Sequence, residues 1–393
     1  MTPAARVHTA IELVQQVVDA ARRQGPPADR VIAEWARVSR FAGSKDRRAV
    51  RELVYRAIRA CGPIPPSGRA AMLHLARSDP ALLALFDGST YGPAPVAQGE
   101  PVADGGVAPE WLVKRLASSD IAGAEAEALL DRAPLDVRVN ALKATRESVV
   151  LPLAGEALAA PHGLRFPSGT AVEGWDAHRT GLIEIQDGGS QLACEAVGAR
   201  AGETVMDLCA GAGGKTLALA AAMDNQGTLV AADSDRGRLS RLGPRAERAG
   251  ARIAETVLLD PGREAERLRA WDGMADAVLV DAPCSGTGTW RRNPEARWRL
   301  TSDSLTALVA LQQRLLGIAA ALVKPGGRLV YVVCSLLDEE GPAQVAAFLA
   351  ANPGWSAQPV ALPQGSARGA GVRLTPHRDG TDGFFIARLC KPW

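Results

Sequence analysis

The sequence predicts an α/β protein with a doubly wound, mostly parallel sheet, and three observations carry that expectation. First, from Glu203 onward short apolar runs recur at Thr204–Leu208, Thr228–Ala232, Thr256–Leu259, Ala277–Val280, Arg328–Val333 and Gly383–Leu389. Helical patterns lie between most of them, at Lys215–Met223, Arg236–Ala249 and Ser304–Val323. Strands alternating with helices imply parallel βαβ units. Second, a glycine-rich turn follows the first run and opens a helix. Third, Asp207, Asp233, Asp260 and Asp281 end four successive runs. Ligands of open α/β sheets bind beyond the carboxyl ends of the strands, so four acids there mark a ligand edge. The last run arrives late and reads as an antiparallel edge strand.

A chain of 393 residues holds more than one domain. Residues 1–87 are helical in pattern. Val7, Ile11, Val14, Val17 and Val18 share one face, and Val31–Trp35 and Ala49–Ile58 keep the same period. Ser39–Arg48 between them is a basic turn in which Ser44 is a candidate helix cap. Residues 88–134 read as a Gly/Pro-rich linker, Gly88–Pro109, and a helical connector, Glu110–Ala133. Residues 135–190 form a small α+β segment opened by the strand Val137–Asn140, and 191–393 form the α/β domain. Residues 1–75 carry thirteen Arg and Lys against six Asp and Glu. That excess points to a polyanion partner, with Arg40, Lys45, Arg47 and Arg48 as candidate contacts. Charge alone leaves a solvated helical surface equally open.

The six cysteines, at 61, 194, 209, 284, 334 and 390, form no C-x-x-C pair, which argues against a metal site. Free thiols fit a reducing cytoplasm. No apolar run approaches the ~18–20 residues of a membrane span. Cys284 and Cys334 each follow an apolar run that reads as a buried strand. Two thiols delivered to the ligand edge predict covalent chemistry on an electrophilic carbon.

The glycine loop is Cys209-Ala210-Gly211-Ala212-Gly213-Gly214-Lys215-Thr216. A phosphate-binding G-x-x-x-x-G-K-[ST] loop needs its first glycine where Cys209 stands. A dinucleotide G-x-G-x-x-G fingerprint needs its third where Thr216 stands. S-adenosylmethionine fits better, because it has no phosphate and needs only close backbone approach. Asp233, about 20 residues on, is placed for the ribose hydroxyls, and Asp260 for the adenine edge.

These residues also carry a family resemblance. Asp207–Thr216 resembles the D-x-C-A-A-P-G-G-K-T loop of RNA cytosine-5 methyltransferases. Asp281-Ala-Pro-Cys-Ser-Gly-Thr-Gly288 with Arg291-Arg292-Asn293-Pro294-Glu295 is similar to that family's D-x-P-C-S-G-x-G…R-R-x-P-E signature. Tyr331–Ser335, Arg138–Lys143 and Gln186–Gln191 resemble its Y-S-T-C-S, R-x-N-x-L-K and Q-D-x-x-S segments. Residues 1–75 resemble the helical RNA-binding domain of the antitermination factor NusB. This is the arrangement of the RsmB-type (Sun/Fmu) 16S ribosomal RNA methyltransferases. Gly211 and Ala212 depart from the family's Ala and Pro, which bears on cofactor affinity.

The resemblance implies a Rossmann-like S-adenosylmethionine-dependent methyltransferase domain behind a NusB-like domain and a small RNA-binding segment. It implies Cys334 as nucleophile at cytosine C6, Cys284 as the thiol that assists release, and Asp281 on the cytosine N3/N4 edge. Cofactor contacts fall to Cys209, Ala210, Gly211, Ala212, Gly213, Gly214, Lys215, Asp233, Asp260 and Asp281. Lys143, Arg291 and Arg292 join the basic turn as candidate RNA contacts, with ribosomal RNA the expected partner. Transfer RNA as substrate, and an inactive RNA-binding assembly factor, stay open as alternatives.

Overall fold

In the computed structural model, which describes residues 1–393, the chain divides into two units. One comprises Met1–Asp131 with Thr289–Thr301, the other Arg132–Gly288 with Ser302–Trp393. This differs from the four consecutive domains expected, because a segment from the middle of the α/β sequence belongs to the amino-terminal unit.

The first unit is helical, with major helices Pro3–Arg22, Ala28–Val38, Ser44–Ala60 and Gly68–Ala76. Val7, Val14, Val17 and Val18 are fully buried against Val50, Val54, Ile58 and Met72, while Ile11 is only partly buried. Ser44 is not a cap: it is the first helical residue, and Asp46 accepts from the Gly43 N–H at 3.3 Å. Residues 88–131 are no free linker. Arg69 pairs with Glu100, the Ala103 N–H donates to the Ala70 carbonyl, and Ala103 and Ala108 are buried. The expected connector helix is two short ones, Glu110–Ser118 and Ala124–Glu127.

Thr289–Thr301 closes this unit by capping two helices. Pro27 supplies no side-chain cap to Ala28–Val38, so Glu295 accepts from the Ala28 N–H at 2.9 Å. A carboxylate there also suits the positive end of the helix dipole. Arg297 is fully buried and donates to the Ile58 and Cys61 carbonyls, both at 2.7 Å. These carbonyls lie at the carboxyl end of Ser44–Ala60, where the helix runs out of N–H donors. Burial lowers the Arg297 guanidinium to about 10. Trp298 joins the core and donates its indole N–H to the Gly62 carbonyl.

The second unit begins with a small antiparallel sheet of β1 (Leu135–Val139), β2 (Glu156–Ala157), β3 (Gly163–Phe166) and β4 (Ile183–Ile185), ordered β2-β3-β1-β4. The nine-stranded sheet follows. Its parallel part contains β5 (Thr204–Asp207), β6 (Thr228–Asp233), β7 (Glu255–Leu258), β8 (Ala275–Asp281) and β9 (Val323–Val333). Antiparallel strands β10 (Ser356–Gln358), β11 (Ser366–Arg368), β12 (Gly371–Leu374) and β13 (Phe384–Cys390) complete it. The order is β11-β12-β13-β9-β8-β5-β6-β7, with β10 also on β13. Strand order reverses between β5 and β8, and at such a switch point the loops diverge and leave a crevice. The expected helix Arg236–Ala249 breaks into Arg236–Leu239 and Leu242–Ala249. Pro244 has no N–H for a continuous helix and forces the break.

The helix Ser302–Leu322 is long and apolar enough to cross a membrane, against the expectation that no such run exists. It packs on the sheet through Leu315, Leu316, Ala319 and Leu322, and it carries a fully buried glutamine, Gln312.

Candidate active site

A cavity of about 430 Å³ lies at the carboxyl ends of β5, β6, β8 and β9. Cys209, Asp233, Asp281, Cys284 and Cys334 all line it. Leu259, Leu311 and Leu315 supply apolar wall, and Asp235, Arg238, Glu264 and Arg314 are its further charged groups. Parallel pairing places β8 and β9 side by side, with Asp281 opposite Val332. The residues just beyond them therefore emerge together.

The sulfurs of Cys284 and Cys334 are 3.4 Å apart. The contact with Cys334, reinforced by burial, pushes the Cys284 thiol well above the usual range. Either sulfur of the pair can donate its S–H to the other. Cys61, Cys194 and Cys209 are poor nucleophiles. Burial pushes Cys61 up to about 12 and Cys194 up to about 11, and holds Cys209 well above the usual thiol range.

A residue absent from the sequence reading holds the two cysteine loops together. Glu340 is fully buried. Its Oε1 accepts from the Ser285 N–H at 2.8 Å and the Gln312 amide at 2.9 Å. Its Oε2 accepts from the hydroxyls of Ser285 and Ser335, the latter at 2.6 Å. Ser285 follows Cys284 and Ser335 follows Cys334, so one carboxylate fixes both cysteine-bearing turns. Four donors compensate its desolvation, since hydrogen bonds to charged groups are worth ~1.5–3 kcal/mol each. In sequence it follows two other acids, Asp338 and Glu339, and no spacing rule picks it out.

Lys215 donates to Asp281 at 2.6 Å. Burial alone would depress the ammonium, but the attraction of Asp281 and Cys194 and the hydrogen bond to Asp281 hold it above the usual lysine range. Asp281 is therefore the acceptor of an ion pair, which argues against its acting as an isolated proton donor.

The glycine loop packs too closely for side chains at two points. A Cβ on Gly213, at φ +89°, would stand 2.1 Å from Leu242 Cδ1, and one on Gly211, at φ +56°, would stand 2.2 Å from Arg238 Nη2. Ala210 is buried, and Ala212 turns its carbonyl to Arg245 at 2.7 Å. Gly214 begins the helix Gly214–Ala222. Asp233 accepts from the Gly211 N–H and from the Asp235 N–H, both at 2.7 Å. Each oxygen keeps a further lone pair, so a carboxylate of fixed orientation lines the cavity, the acceptor set a ribose diol requires. With apolar walls beside it, the site fits an adenosyl ligand.

Other predicted residues lie elsewhere. Asp260 is exposed and does not line the cavity, although its neighbours Leu259 and Pro261 do. Asp207 is fully buried and accepts from Thr216 at 2.7 Å, so it braces the loop instead of facing a ligand; burial raises its carboxyl to about 7. Lys143 donates to the Thr180 and Arg248 carbonyls at 2.8 and 2.7 Å, so two of its three N–H groups clamp backbone segments together. Arg291 is buried and its carbonyl accepts from Arg59. Arg292 is half-buried, as is Arg47, whereas Arg40, Lys45 and Arg48 are exposed.

Comparison with known proteins identifies the family. Residues 195–390 match the family described as 16S rRNA methyltransferase RsmB/F. A probable ribosomal RNA small subunit methyltransferase B of Synechocystis sp. is 36% identical over 302 residues, 72% of this chain and 66% of that protein. Ribosomal RNA small subunit methyltransferase B of Xanthomonas campestris pv. campestris is 35% identical over 301 residues, 74% of this chain and 68% of that protein. The matched stretch thus spans about two thirds of these relatives' length. The crystal structure of PH0851 superposes with a TM-score of 0.76 at 26% identity, over 99% of each chain. By sequence and by fold, the chain belongs to the RsmB-type family of ribosomal RNA small subunit methyltransferases.

Proposed function

We propose that the protein is an S-adenosylmethionine-dependent RNA (cytosine-5)-methyltransferase that acts on small-subunit ribosomal RNA through a covalent bond between Cys334 and cytosine C6. The 3.4 Å contact between the Cys284 and Cys334 sulfurs at the edge of a nucleoside-sized cavity carries this reading. The same contact favours an active enzyme over an RNA-binding protein with an idle methyltransferase fold. Six free thiols suit a cytoplasmic setting.

Cytosine C5 is a weak nucleophile. Addition of the Cys334 thiolate at C6 moves electron density onto C5, and splitting one hard step into two easier ones is the gain of covalent catalysis. The bound cofactor supplies an electrophilic methyl group on a sulfonium. Cys284 donates its S–H toward Cys334 and so favours the thiolate. Asp281 accepts from the cytosine amino group, and the Lys215 ammonium beside it offsets negative charge that develops on the ring. Once C5 carries the methyl group its proton passes to water, the electrons of that C–H bond re-form the C5–C6 double bond, and the C6–S bond breaks to release Cys334 as thiolate, which the Cys284 S–H stabilises as it departs. The base must leave any stack to reach Cys334, which costs a few kcal/mol and favours an unpaired or opened target. Arg40, Lys45 and Arg48 in the amino-terminal unit, which the sequence likens to NusB, supply phosphate contacts.

Methyl transfer from labelled cofactor to ribosomal RNA tests the reading. Cys334→Ala should fall to background, and Cys284→Ala should accumulate a denaturant-resistant protein–RNA adduct. Full activity in the first variant would remove the nucleophile, and no adduct in the second would cancel the division of labour.

A further inference from the structure

The cavity is lined by four acids, Asp233, Asp235, Glu264 and Asp281, and by two cations, Arg238 and Arg314. Arg314 is engaged with Glu264 at 3.0 Å. Arg238 has no ion-pair partner for its guanidinium, while its backbone N–H donates to Asp235 at 2.9 Å. The guanidinium lies over Gly211, where Nη2 fills the space a Cβ would take. Gly211 is also one of two places where the loop departs from the family pattern. Its N–H orients Asp233, so one small residue sets both the carboxylate and the guanidinium.

S-adenosylmethionine carries a single anionic group, the α-carboxylate of its amino-acid end. Its sulfonium and ammonium are cationic and suit the acids. We propose that Arg238 binds this carboxylate, and that glycine at 211 leaves the room the guanidinium needs to do so. The inference rests on the proposed cofactor. A planar fork donating two parallel hydrogen bonds is the arrangement that matches a carboxylate.

Binding measured by calorimetry with the full chain tests this without reference to turnover. The probes are S-adenosylhomocysteine, which keeps the amino-acid end, and methylthioadenosine, which lacks it. Arg238→Ala should weaken S-adenosylhomocysteine by about tenfold or more, the scale of a lost charged hydrogen bond. It should leave methylthioadenosine within about twofold. The side chain is exposed, so the variant keeps its fold, and an unchanged melting temperature checks this. Gly211→Ala should weaken S-adenosylhomocysteine in the same selective way, and the double variant should be no worse than Arg238→Ala alone. Equal loss for both probes, or no loss for either, would overturn the assignment and leave the proposed function standing. A wild-type chain that binds neither probe would overturn both.

Discussion

Asp281–Gly288 and Thr289–Thr301 are adjacent in sequence and are read together as one signature, yet they do opposite physical work. The first leaves its functional groups available. Cys284 and Asp281 line a cavity, while Ser285 takes up the structural bonding through Glu340. The second turns its charges inward. Glu295 and Arg297 meet backbone N–H and carbonyl groups at two helix ends, and Trp290 and Trp298 are buried. The difference lies in what each polar group has as partner. A motif continuous in sequence need not be one functional object.

The largest expected effect comes from Glu340. Glu340→Ala removes the acceptor that Ser285, Ser335 and Gln312 share and should cost roughly 3–5 kcal/mol, read as a melting-temperature drop on the order of 10 °C. Glu340→Gln keeps the shape but offers an N–H where acceptors are needed. Methyl transfer should fall at least about tenfold while S-adenosylhomocysteine affinity stays within about twofold. An unchanged turnover in that variant would mean that the cysteine loops are held by something else.

Next is Arg297→Ala, expected to cost roughly 3 kcal/mol because buried carbonyls lose their donors. Hydrogen exchange should speed up in Ser44–Ala60, and binding of S-adenosylhomocysteine should not change. A loss of cofactor affinity equal to that of Arg238→Ala would erase the contrast between the two stretches.

Asp207 gives a pH test on the same scale. Its folded carboxyl titrates at about 7, raised by burial from an ordinary value of 3.8. A raised folded value means that the folded state binds the proton more tightly. The stability this contributes is full below about pH 4 and is lost as pH climbs through 7. Wild type should therefore lose stability relative to Asp207→Asn between pH 4 and 7, by at most about 1.4 kcal/mol per pH unit. Parallel curves for the two proteins would show that Asp207 stays ionised.

The smallest effect separates clamp from contact. Lys143→Ala should cost about 1 kcal/mol of stability and leave the salt dependence of RNA binding unchanged. Arg48→Ala should leave stability within about 0.5 kcal/mol and reduce the slope of log affinity against log salt by about 1. Exchanged outcomes would reassign both residues.

What the sequence made legible follows from periodicity and position. Six runs became β5 to β9 and β13 because alternation of apolar strand and helix is a strong signal over two hundred residues. Cys284, Cys334, Asp233 and Asp281 met in one cavity because strand ends in a parallel sheet share an edge. Glu340, Arg297 and Lys143 were illegible for one reason. Their partners are backbone groups or serines brought near only by the fold, and spacing does not distinguish a guanidinium aimed at phosphate from one aimed at a carbonyl. The break at Pro244 was visible in principle, since a proline inside a helical pattern signals it.

Residues 289–301 also set a timetable. A ribosome delivers the amino-terminal helices early, yet two of them wait for Glu295 and Arg297 to end properly. During synthesis that unit must stay loosely organised while more than 150 further residues emerge. The portion translated first is thus among the last to be sealed, and a fragment stopping at Asp131 should be soft at both of those helix ends.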